Sequence, residues 1–229
     1  MLKTLQFDKH KFDFSKYFED FFECDLVRLH NKYDFGEKFI DVTGGTKSID
    51  LIETAYNAVI KTDSFSLMWT KFLSTVIKPL FKQNIYYQKL PSLRIFPADH
   101  SVKYVDKVCD GMNVHLDSES PFYHPTFETN FWLPLMVCDH LNDFYYIDGN
   151  NWKQRANIDK QDMLMFDSFI IHGNYMHNKS FNTRVSLDFK IVPEDQYDKS
   201  VLTDIPIIKR GKKFKQNEFF TTDYYYNFL

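Results

Sequence analysis

The chain has 229 residues, of which 44% are hydrophobic and 26% charged, and its formal net charge at pH 7 is −3. This composition predicts one globular domain over residues 1–229 and offers no basic face for DNA or RNA. The longest apolar run, residues 131–138, is interrupted by a proline. It is far shorter than the roughly 20 residues of a membrane-spanning helix, so we expect no membrane partner.

The three cysteines, Cys24, Cys109 and Cys138, are widely spaced and include no C-x-x-C pair. Zinc ribbons and disulfide frameworks need closely spaced or paired cysteines, so neither is expected. Residues 1–14 lack the apolar segment of a signal peptide. We therefore predict a cytoplasmic location, in a reducing compartment.

Residues 1–84 form the predicted helical part of the domain, because three stretches place apolar side chains at steps of three and four. The first stripe covers residues 18–29. The second follows Ser48, a suitable N-cap, and the third follows Asp63. Pro79 is expected to end or kink the third helix, because proline removes a helix hydrogen bond.

Residues 85–193 instead contain short segments rich in β-branched and aromatic residues, separated by turn-prone stretches. Six or more strands without intervening helices predict an antiparallel jelly-roll core. The predicted strands are 86–96, 113–116, 130–138, 144–147, 163–171 and 183–192. Residues 194–229 are predicted to be a tail laid against the body. The expected fold class is α+β, mainly β, with the N-terminal helices packed outside the jelly roll.

Candidate chemistry begins at His115 and Asp117, which share one face of a predicted strand because they are two positions apart. With one more histidine they would make the two-histidine, one-carboxylate triad of non-haem Fe(II) sites, which leaves three positions open. H-x-D alone is a weak signal in a chain with 8 histidines. The predicted third ligand is His172, which ends an apolar strand much later in the chain. The alternative, His177, lies in a polar loop.

A second motif follows soon after His172, where the strand over residues 184–192 alternates in character. Its apolar residues at 185, 187, 189 and 191 share one face, and Arg184 and Ser186 share the other. A guanidinium beside a hydroxyl suits a dicarboxylate, because arginine can bind a carboxylate through two parallel hydrogen bonds.

H-x-D, a later histidine at the end of a strand and R-x-S on the following strand together resemble the Fe(II)- and 2-oxoglutarate-dependent oxygenase superfamily. Within it, residues 85–193 are similar to the group typified by the streptomycin-biosynthesis protein StrG. The similar stretches, in chain order, are residues 87–94, 115–118, 124–125, 128–135, 172–174, 178 and 184–189.

This resemblance implies a double-stranded β-helix fold, of the cupin-like jelly-roll kind. It implies Fe(II) held by His115, Asp117 and His172, with 2-oxoglutarate and O2 as co-substrates and Arg184 and Ser186 binding the 2-oxoglutarate. The implied reaction is hydroxylation, or a related oxidation, of a small-molecule substrate such as a sugar, amino sugar or nucleotide sugar. Halogenation is disfavoured, because halide needs the position that the Asp117 carboxylate fills.

Four further residues have two interpretations each. Asn130 either donates to 2-oxoglutarate or is an ordinary polar strand residue. Arg94 either lines the pocket as a further 2-oxoglutarate-binding residue or forms a structural ion pair. Glu119 and Glu128 flank the predicted mouth of the site. Either would hold a substrate amine or hydroxyls there, or is simply solvated.

Two other functions fit parts of the pattern. The first is a jelly-roll binding module that lost its metal. Such a module would not need Arg184 and Ser186 beside an intact triad, so these residues count against it. A cupin-type metalloenzyme would bind metal but not 2-oxoglutarate. Metal-dependent binding of 2-oxoglutarate separates the three functions, whereas no motif encodes the substrate or the oligomeric state.

Overall fold

The computed structural model describes most of the N-terminal and central parts of the chain and several short strands elsewhere. The described residues are 2–33, 37–38, 54–98, 103–104, 116–117, 127–147, 149–150, 153–173, 178–197, 206–209, 212–215 and 225–226. Ser48 and most of the predicted strand over 113–116 lie outside them.

The first helix, α1 (Phe14–Phe22), begins after Asp13, whose side chain accepts a hydrogen bond from an amide of the first turn. It ends at Glu23, which has the left-handed backbone common at helix ends, with φ of 50°. The predicted stripe is therefore interrupted there. It resumes in a 3₁₀ turn at Leu26–Arg28 and the short helix α2 (Leu29–Lys32).

The third predicted helix corresponds to α3 (Asp63–Phe72), and its N-cap is Thr62, whose hydroxyl accepts a hydrogen bond from a first-turn amide. Helical structure continues through a π turn at Leu73–Ile77 and a 3₁₀ turn at Lys78–Leu80. Pro79 lies in that last turn, so the segment ends where the sequence predicts.

The described residues include two further short helical segments: a π turn at Tyr56–Ile60 and the single-turn helix α4 (Glu194–Tyr197). In the described part of the chain, no helix combines the length and apolar character needed to cross a bilayer.

The described strands are short, apart from one near the end of the central region. In chain order they are β1 (Leu2–Leu5), β2 (Glu37–Lys38), β3 (Ile85–Gln88), β4 (Ser92–Phe96), β5 (Lys103–Tyr104), β6 (Thr129–Pro134), β7 (Tyr145–Ile147), β8 (Lys153–Arg155), β9 (Met163–Asp167), β10 (His172–Gly173), β11 (Arg184–Pro193), β12 (Pro206–Lys209), β13 (Lys212–Lys215) and β14 (Tyr225–Tyr226).

Seven of these strands form the main sheet, in the order β1-β9-β6-β11-β3-β14, with β4 also paired to β11. Every pairing in it is antiparallel. The long strand β11 is central, because β6 pairs along one edge and β4 and β3 pair in turn along the other. The edge strand β1 lies in the part of the chain predicted as helical, so its pairing with β9 is a structural finding that the sequence did not indicate.

A second antiparallel sheet has the order β10-β7-β8, and β12/β13 and β2/β5 form two separate pairs. The second sheet packs against the main sheet through aromatic contacts. Trp132 of β6 stacks on Phe144 at 5.0 Å between ring centroids, and Phe166 of β9 contacts His172 of β10 at 4.6 Å. Mostly antiparallel sheets with helices on one side confirm the mainly β, α+β class.

The helices cover one face of the main sheet and form the larger core. Val185, Leu187, Phe189 and Ile191 are buried there, as their alternation predicts. The Phe189 ring lies 4.8 Å from Trp69 of α3 and stacks at 4.7 Å on Phe131 of β6, measured between centroids. Because this face of β11 is buried by helices, its even-numbered residues must face the second sheet.

Candidate active site

The face of β11 that points away from the helices is polar. Arg184, Ser186, Asp188 and Lys190 alternate with the core residues, and Asn130 of β6 lies directly opposite Lys190 in the register. Arg184, Ser186 and Asn130 are buried. Buried polar groups cost free energy unless they find partners, so this polar face is a candidate site.

His172 lies at the start of β10, between two aromatic rings. It stacks on Phe144 at 5.4 Å and meets Phe166 at 4.6 Å, measured between ring centroids. Its Nδ1 lies 2.8 Å from the carbonyl oxygen of Ile170. Because a carbonyl only accepts, Nδ1 is the donor, and Nε2 is the ring nitrogen left to bind a metal ion. Ring packing and this hydrogen bond fix the imidazole orientation, as metal-ligating histidines require.

The Nε2 atom of His172 lies 3.9 Å from Oδ1 of Asp117, and both side chains are buried. Two atoms bound to one metal ion at about 2.1 Å each lie at most about 4.2 Å apart. That limit applies to ligands on opposite sides of an ion, whereas neighbouring ligands of an octahedral ion lie about 3.0 Å apart. The pair, at 3.9 Å, would have to close by about 0.9 Å to share an ion in a facial triad. An imidazole nitrogen and a carboxylate oxygen are donors that divalent transition metals accept. Among the described residues no third His, Cys, Asp or Glu completes a metal-binding group. His115, the predicted third ligand, lies outside them, as does the alternative His177.

Lys190 is the cation that contacts Asp117. Its Nζ donates hydrogen bonds to Oδ2 of Asp117 and Oδ1 of Asn130, and it lies 3.5 Å from Oε2 of Glu128. Burial lowers the pKa of Lys190, but the attraction of Asp117 and Glu128 outweighs burial, so its pKa is raised overall. The ammonium group is therefore charged at neutral pH.

Arg184 lies at the other end of the polar face from Lys190. Its Nη1 donates to the backbone carbonyl oxygens of Asn142, at 3.0 Å, and Asp143, at 3.4 Å. Burial lowers the pKa of Arg184, although nearby Cys138, Asp188 and Asp143 act in the opposite direction. A guanidinium group nevertheless stays protonated in proteins.

Within the described part of the chain, no Asp or Glu forms an ion pair with Arg184, and its buried Nε has no hydrogen-bond partner. The buried Oγ of Ser186 and Nδ2 of Asn130 also have no partner there. A buried cation without an ion-pair partner is costly, and native proteins leave few buried polar atoms unsatisfied. This part of the polar face therefore favours a ligand with negatively charged oxygens.

Arg94 of β4 lies opposite Ser186 and forms an ion pair with Asp188, with 2.7 Å between Nε and Oδ2. Of its two interpretations, the structure shows the ion pair. Glu128, only 1% exposed, faces Lys190 rather than solvent. Glu119 lies outside the described residues.

No family model matches the chain. The streptomycin biosynthesis protein StrG of Streptomyces griseus is 27% identical over 139 residues, which are 60% of this chain and 60% of StrG. The predicted resemblance to the StrG-type group is confirmed. The similar region spans less than two thirds of the length of StrG.

Solved structures that resemble the chain include AviO1 from Streptomyces viridochromogenes Tue57, which is 10% identical, with a TM-score of 0.45 over 84% of this chain and 90% of AviO1. The non-heme alpha-ketoglutarate-dependent epimerase SnoN from nogalamycin biosynthesis is 10% identical, with a TM-score of 0.44 over 84% of this chain and 77% of SnoN. An oxidoreductase of the 2OG-Fe(II) oxygenase family from Burkholderia pseudomallei is 12% identical, with a TM-score of 0.35 over 61% of this chain and 56% of its own.

Two residues of the site, Asp188 and Lys190, belong to no motif that the sequence indicates. The signal for both was available, because strand alternation places them on the same face as Arg184 and Ser186. The same rule did not indicate that Lys190 is buried. Its burial depends on Asp117 and Glu128, which belong to much earlier segments of the chain.

Proposed function

We propose that the chain is an Fe(II)- and 2-oxoglutarate-dependent dioxygenase that oxidises a small polar metabolite. One observation carries the proposal: the buried Arg184 guanidinium has no carboxylate partner among the described residues and shares a strand face with the unpartnered Ser186 hydroxyl. 2-Oxoglutarate is a dicarboxylate, so one of its carboxylates would supply the missing anion.

The guanidinium of Arg184 is already oriented for such a ligand. Two backbone carbonyls accept from Nη1, which sets the plane of the group and leaves the buried Nε for another acceptor. Ser186 lies two positions along the strand, about 6.6 Å away. A carboxylate between the two side chains would therefore accept hydrogen bonds from both. Asn130, whose Nδ2 is unpartnered in the described residues, is the proposed third donor to 2-oxoglutarate.

The proposed metal ligands are His115, Asp117 and His172. Nε2 of His172 and the carboxylate of Asp117 would supply two of the three donors of a facial triad. When bound together, Fe(II), 2-oxoglutarate and O2 supply an oxidation in which one O2 oxygen enters the succinate formed by loss of CO2 and the other oxidises a substrate C–H bond.

Aromatic rings shield the proposed metal position on the side of His172. Phe144 and Phe166 pack on His172, and Trp132 stacks on Phe144. A site lined in this way protects a reactive centre from solvent and strengthens the electrostatic interactions inside it. We propose that the main and second sheets are the two halves of a jelly roll with the site between them, because the Trp132–Phe144 and Phe166–His172 contacts join the two sheets there.

Hydroxylation is the proposed outcome, and the StrG resemblance favours a sugar, amino sugar or nucleotide sugar as the substrate class. Halogenation is disfavoured, because the carboxylate of Asp117 would fill the metal position that a halide needs. The ion pair of Arg94 and Asp188 lies on the same polar face, so these charged side chains are candidates for contacting substrate hydroxyl or amino groups.

The test is to add Fe(II) and then 2-oxoglutarate to the protein without oxygen and to record the visible charge-transfer band of the chelate. We expect the band in the wild type and in His177→Ala, and its absence in His172→Ala. Succinate release on admission of O2 would then serve to screen candidate substrates.

Two results would contradict the proposal. Metal binding without the band in the wild type would indicate a cupin-type metalloenzyme that does not use 2-oxoglutarate. No metal binding at all would indicate a binding module. A band lost in His177→Ala but kept in His172→Ala would leave the oxygenase function in place and reassign the third ligand.

A further inference from the structure

The two carboxylate oxygens of Asp117 face different partners. Oδ1 lies 3.9 Å from Nε2 of His172, whereas Oδ2 accepts a hydrogen bond from Nζ of Lys190. We propose that Lys190 is a positioning residue for the metal site: by binding Oδ2, it keeps Asp117 a ligand through Oδ1 alone. This inference rests on the proposed function, because it requires a metal ion between His172 and Asp117.

Lys190 is itself held in place. It lies opposite Asn130 in the β11–β6 register, and the side-chain oxygen of Asn130 accepts a hydrogen bond from it. Glu128, the residue before β6, contributes a third oxygen at 3.5 Å. An ammonium group has three N–H donors, and here three oxygens from different residues surround it. With a side chain only 14% exposed, Lys190 cannot move to solvent without losing these partners.

The positive charge of Lys190 beside a proposed metal ligand would by itself repel a metal ion. The negative charge of Glu128 offsets this repulsion. If Asp117 were the sole carboxylate beside Lys190, the two charges would cancel, and a metal ion would have to compete with the ammonium. The buried Glu128 adds a second negative charge. Two carboxylates and one ammonium leave a net charge of −1, so Lys190 orients Asp117 while the group keeps the negative charge that attracts a divalent cation.

The number of open metal positions depends on this arrangement. A facial triad serves an oxygenase because three positions stay open, two for 2-oxoglutarate and one for O2. A carboxylate that binds through both oxygens takes one of the three. A hydrogen bond from Lys190 to Oδ2 opposes that second bond, so Lys190 preserves the position.

The inference is tested with Co(II), an air-stable substitute for Fe(II), titrated into the full-length protein. The variants are Lys190→Met, which removes the donor and the charge, and Lys190→Gln, which removes the charge but keeps a donor. Lys16→Met is the matched control, because Lys16 lies on the surface of α1 and pairs with Asp20. We expect Lys190→Met to weaken Co(II) binding by about 10- to 100-fold, the usual effect of losing a residue that orients a metal ligand. Lys16→Met should bind like the wild type.

The direction of the change decides the question. Removing a cation beside a divalent ion favours metal binding by simple electrostatics, whereas loss of positioning weakens it. Equal or tighter Co(II) binding by Lys190→Met would overturn the inference. If Lys190→Met does not fold, Lys190→Ala, which also removes both the donor and the charge, carries the test, and Co(II) binding equal to or tighter than that of the wild type would overturn the inference in the same way.

The Co(II) absorption spectrum gives a second readout. A carboxylate that binds through both oxygens takes one of the open positions and so changes the ligands and geometry around Co(II). Lys190→Met should therefore show visible Co(II) bands that differ from those of the wild type, whereas Lys190→Gln should keep the wild-type spectrum. Identical spectra in the wild type and Lys190→Met would contradict the one-oxygen role. Failure of the wild type itself to bind Co(II) is a different result, because it would overturn the proposed function.

Discussion

The guanidinium of Arg184 lies over the ring of Phe96, its cross-strand neighbour, with 4.2 Å between the guanidinium carbon and the ring centroid. The ring of Trp132 is 5.9 Å away. A desolvated cation over an aromatic face is stabilised by roughly 2 kcal/mol. The ring and the two backbone carbonyls stabilise the cation without neutralising it, so its charge is preserved for an anionic ligand.

Arg184→Met is expected to weaken 2-oxoglutarate binding by about 2 kcal/mol or more, roughly 30-fold, because it removes the cation that a buried carboxylate would face. Titration of the charge-transfer band measures this. Arg94→Met is the control: it removes the same charge from the same face, but Arg94 already pairs with Asp188. An equal loss in both variants would mean that Arg184 has no special role in binding the carboxylate.

Asp117→Ala is expected to abolish metal binding and succinate formation, because it removes a metal ligand and leaves Lys190 beside the site with Glu128 as its remaining anion. Asp188→Ala is the matched control, since it removes a carboxylate from the same polar face but from an ion pair with Arg94. Co(II) binding is measured for both variants, and succinate release is then measured for Asp117→Ala against the wild type. Near-normal turnover by Asp117→Ala would refute the assignment of Asp117 as a ligand.

The sequence predicts the local geometry of the site well where one strand determines it. The alternation over β11 correctly places Phe189 in the core and Arg184 with Ser186 on the opposite face, because the period of a strand is fixed by its backbone. The environment of Lys190 was not predictable in this way. A lysine near the end of an apolar strand normally reaches solvent, and its burial here depends on two acidic residues from distant segments.

Two features of the fold were missed for related reasons. The helical spacing continues past Glu23, so the sequence pattern did not reveal that α1 ends there; the left-handed backbone at Glu23 interrupts the helix between two parts of the same apolar stripe. β1 is very short, and it forms a strand through its pairing with β9, which lies far along the chain. Propensity alone is weak evidence when long-range pairing decides the structure.

Cys138 is expected to react slowly with thiol reagents in the folded protein. Burial raises the pKa of its thiol to about 12, although Arg184 acts in the opposite direction. At pH 8 about 1 in 10,000 of these thiols would be ionised, and the thiolate is the reactive form. Cys24, whose pKa burial also raises, is less enclosed. Alkylation by iodoacetamide, followed by peptide mass spectrometry, should therefore modify Cys24 before Cys138.

The raised thiol pKa of Cys138 also predicts how the stability of the fold depends on pH. The thiol pKa of Cys138 is raised on folding from its ordinary value of 9.0, so the folded state disfavours the thiolate. The stability contribution is fully present below pH 9 and is lost as the pH rises from about 9 towards 12. In urea unfolding, the free energy of unfolding of Cys138→Ser should therefore fall less than that of the wild type as the pH rises above about 9. Equal alkylation rates for Cys138 in the native and urea-unfolded protein would contradict the burial argument.

Phe189→Ala is expected to lower the free energy of unfolding by about 3–5 kcal/mol, because it leaves a cavity between Trp69 and Phe131. The control is Phe169→Ala: this ring is 63% exposed, so its removal should change stability by about 0.5 kcal/mol or less. Urea unfolding of the metal-free protein measures both. Similar small losses in the two variants would mean that the odd-numbered face of β11 is not the core face. The even-numbered face, with Arg184 and Lys190, would then not be turned towards His172, and both the metal and the 2-oxoglutarate assignments would fail with it.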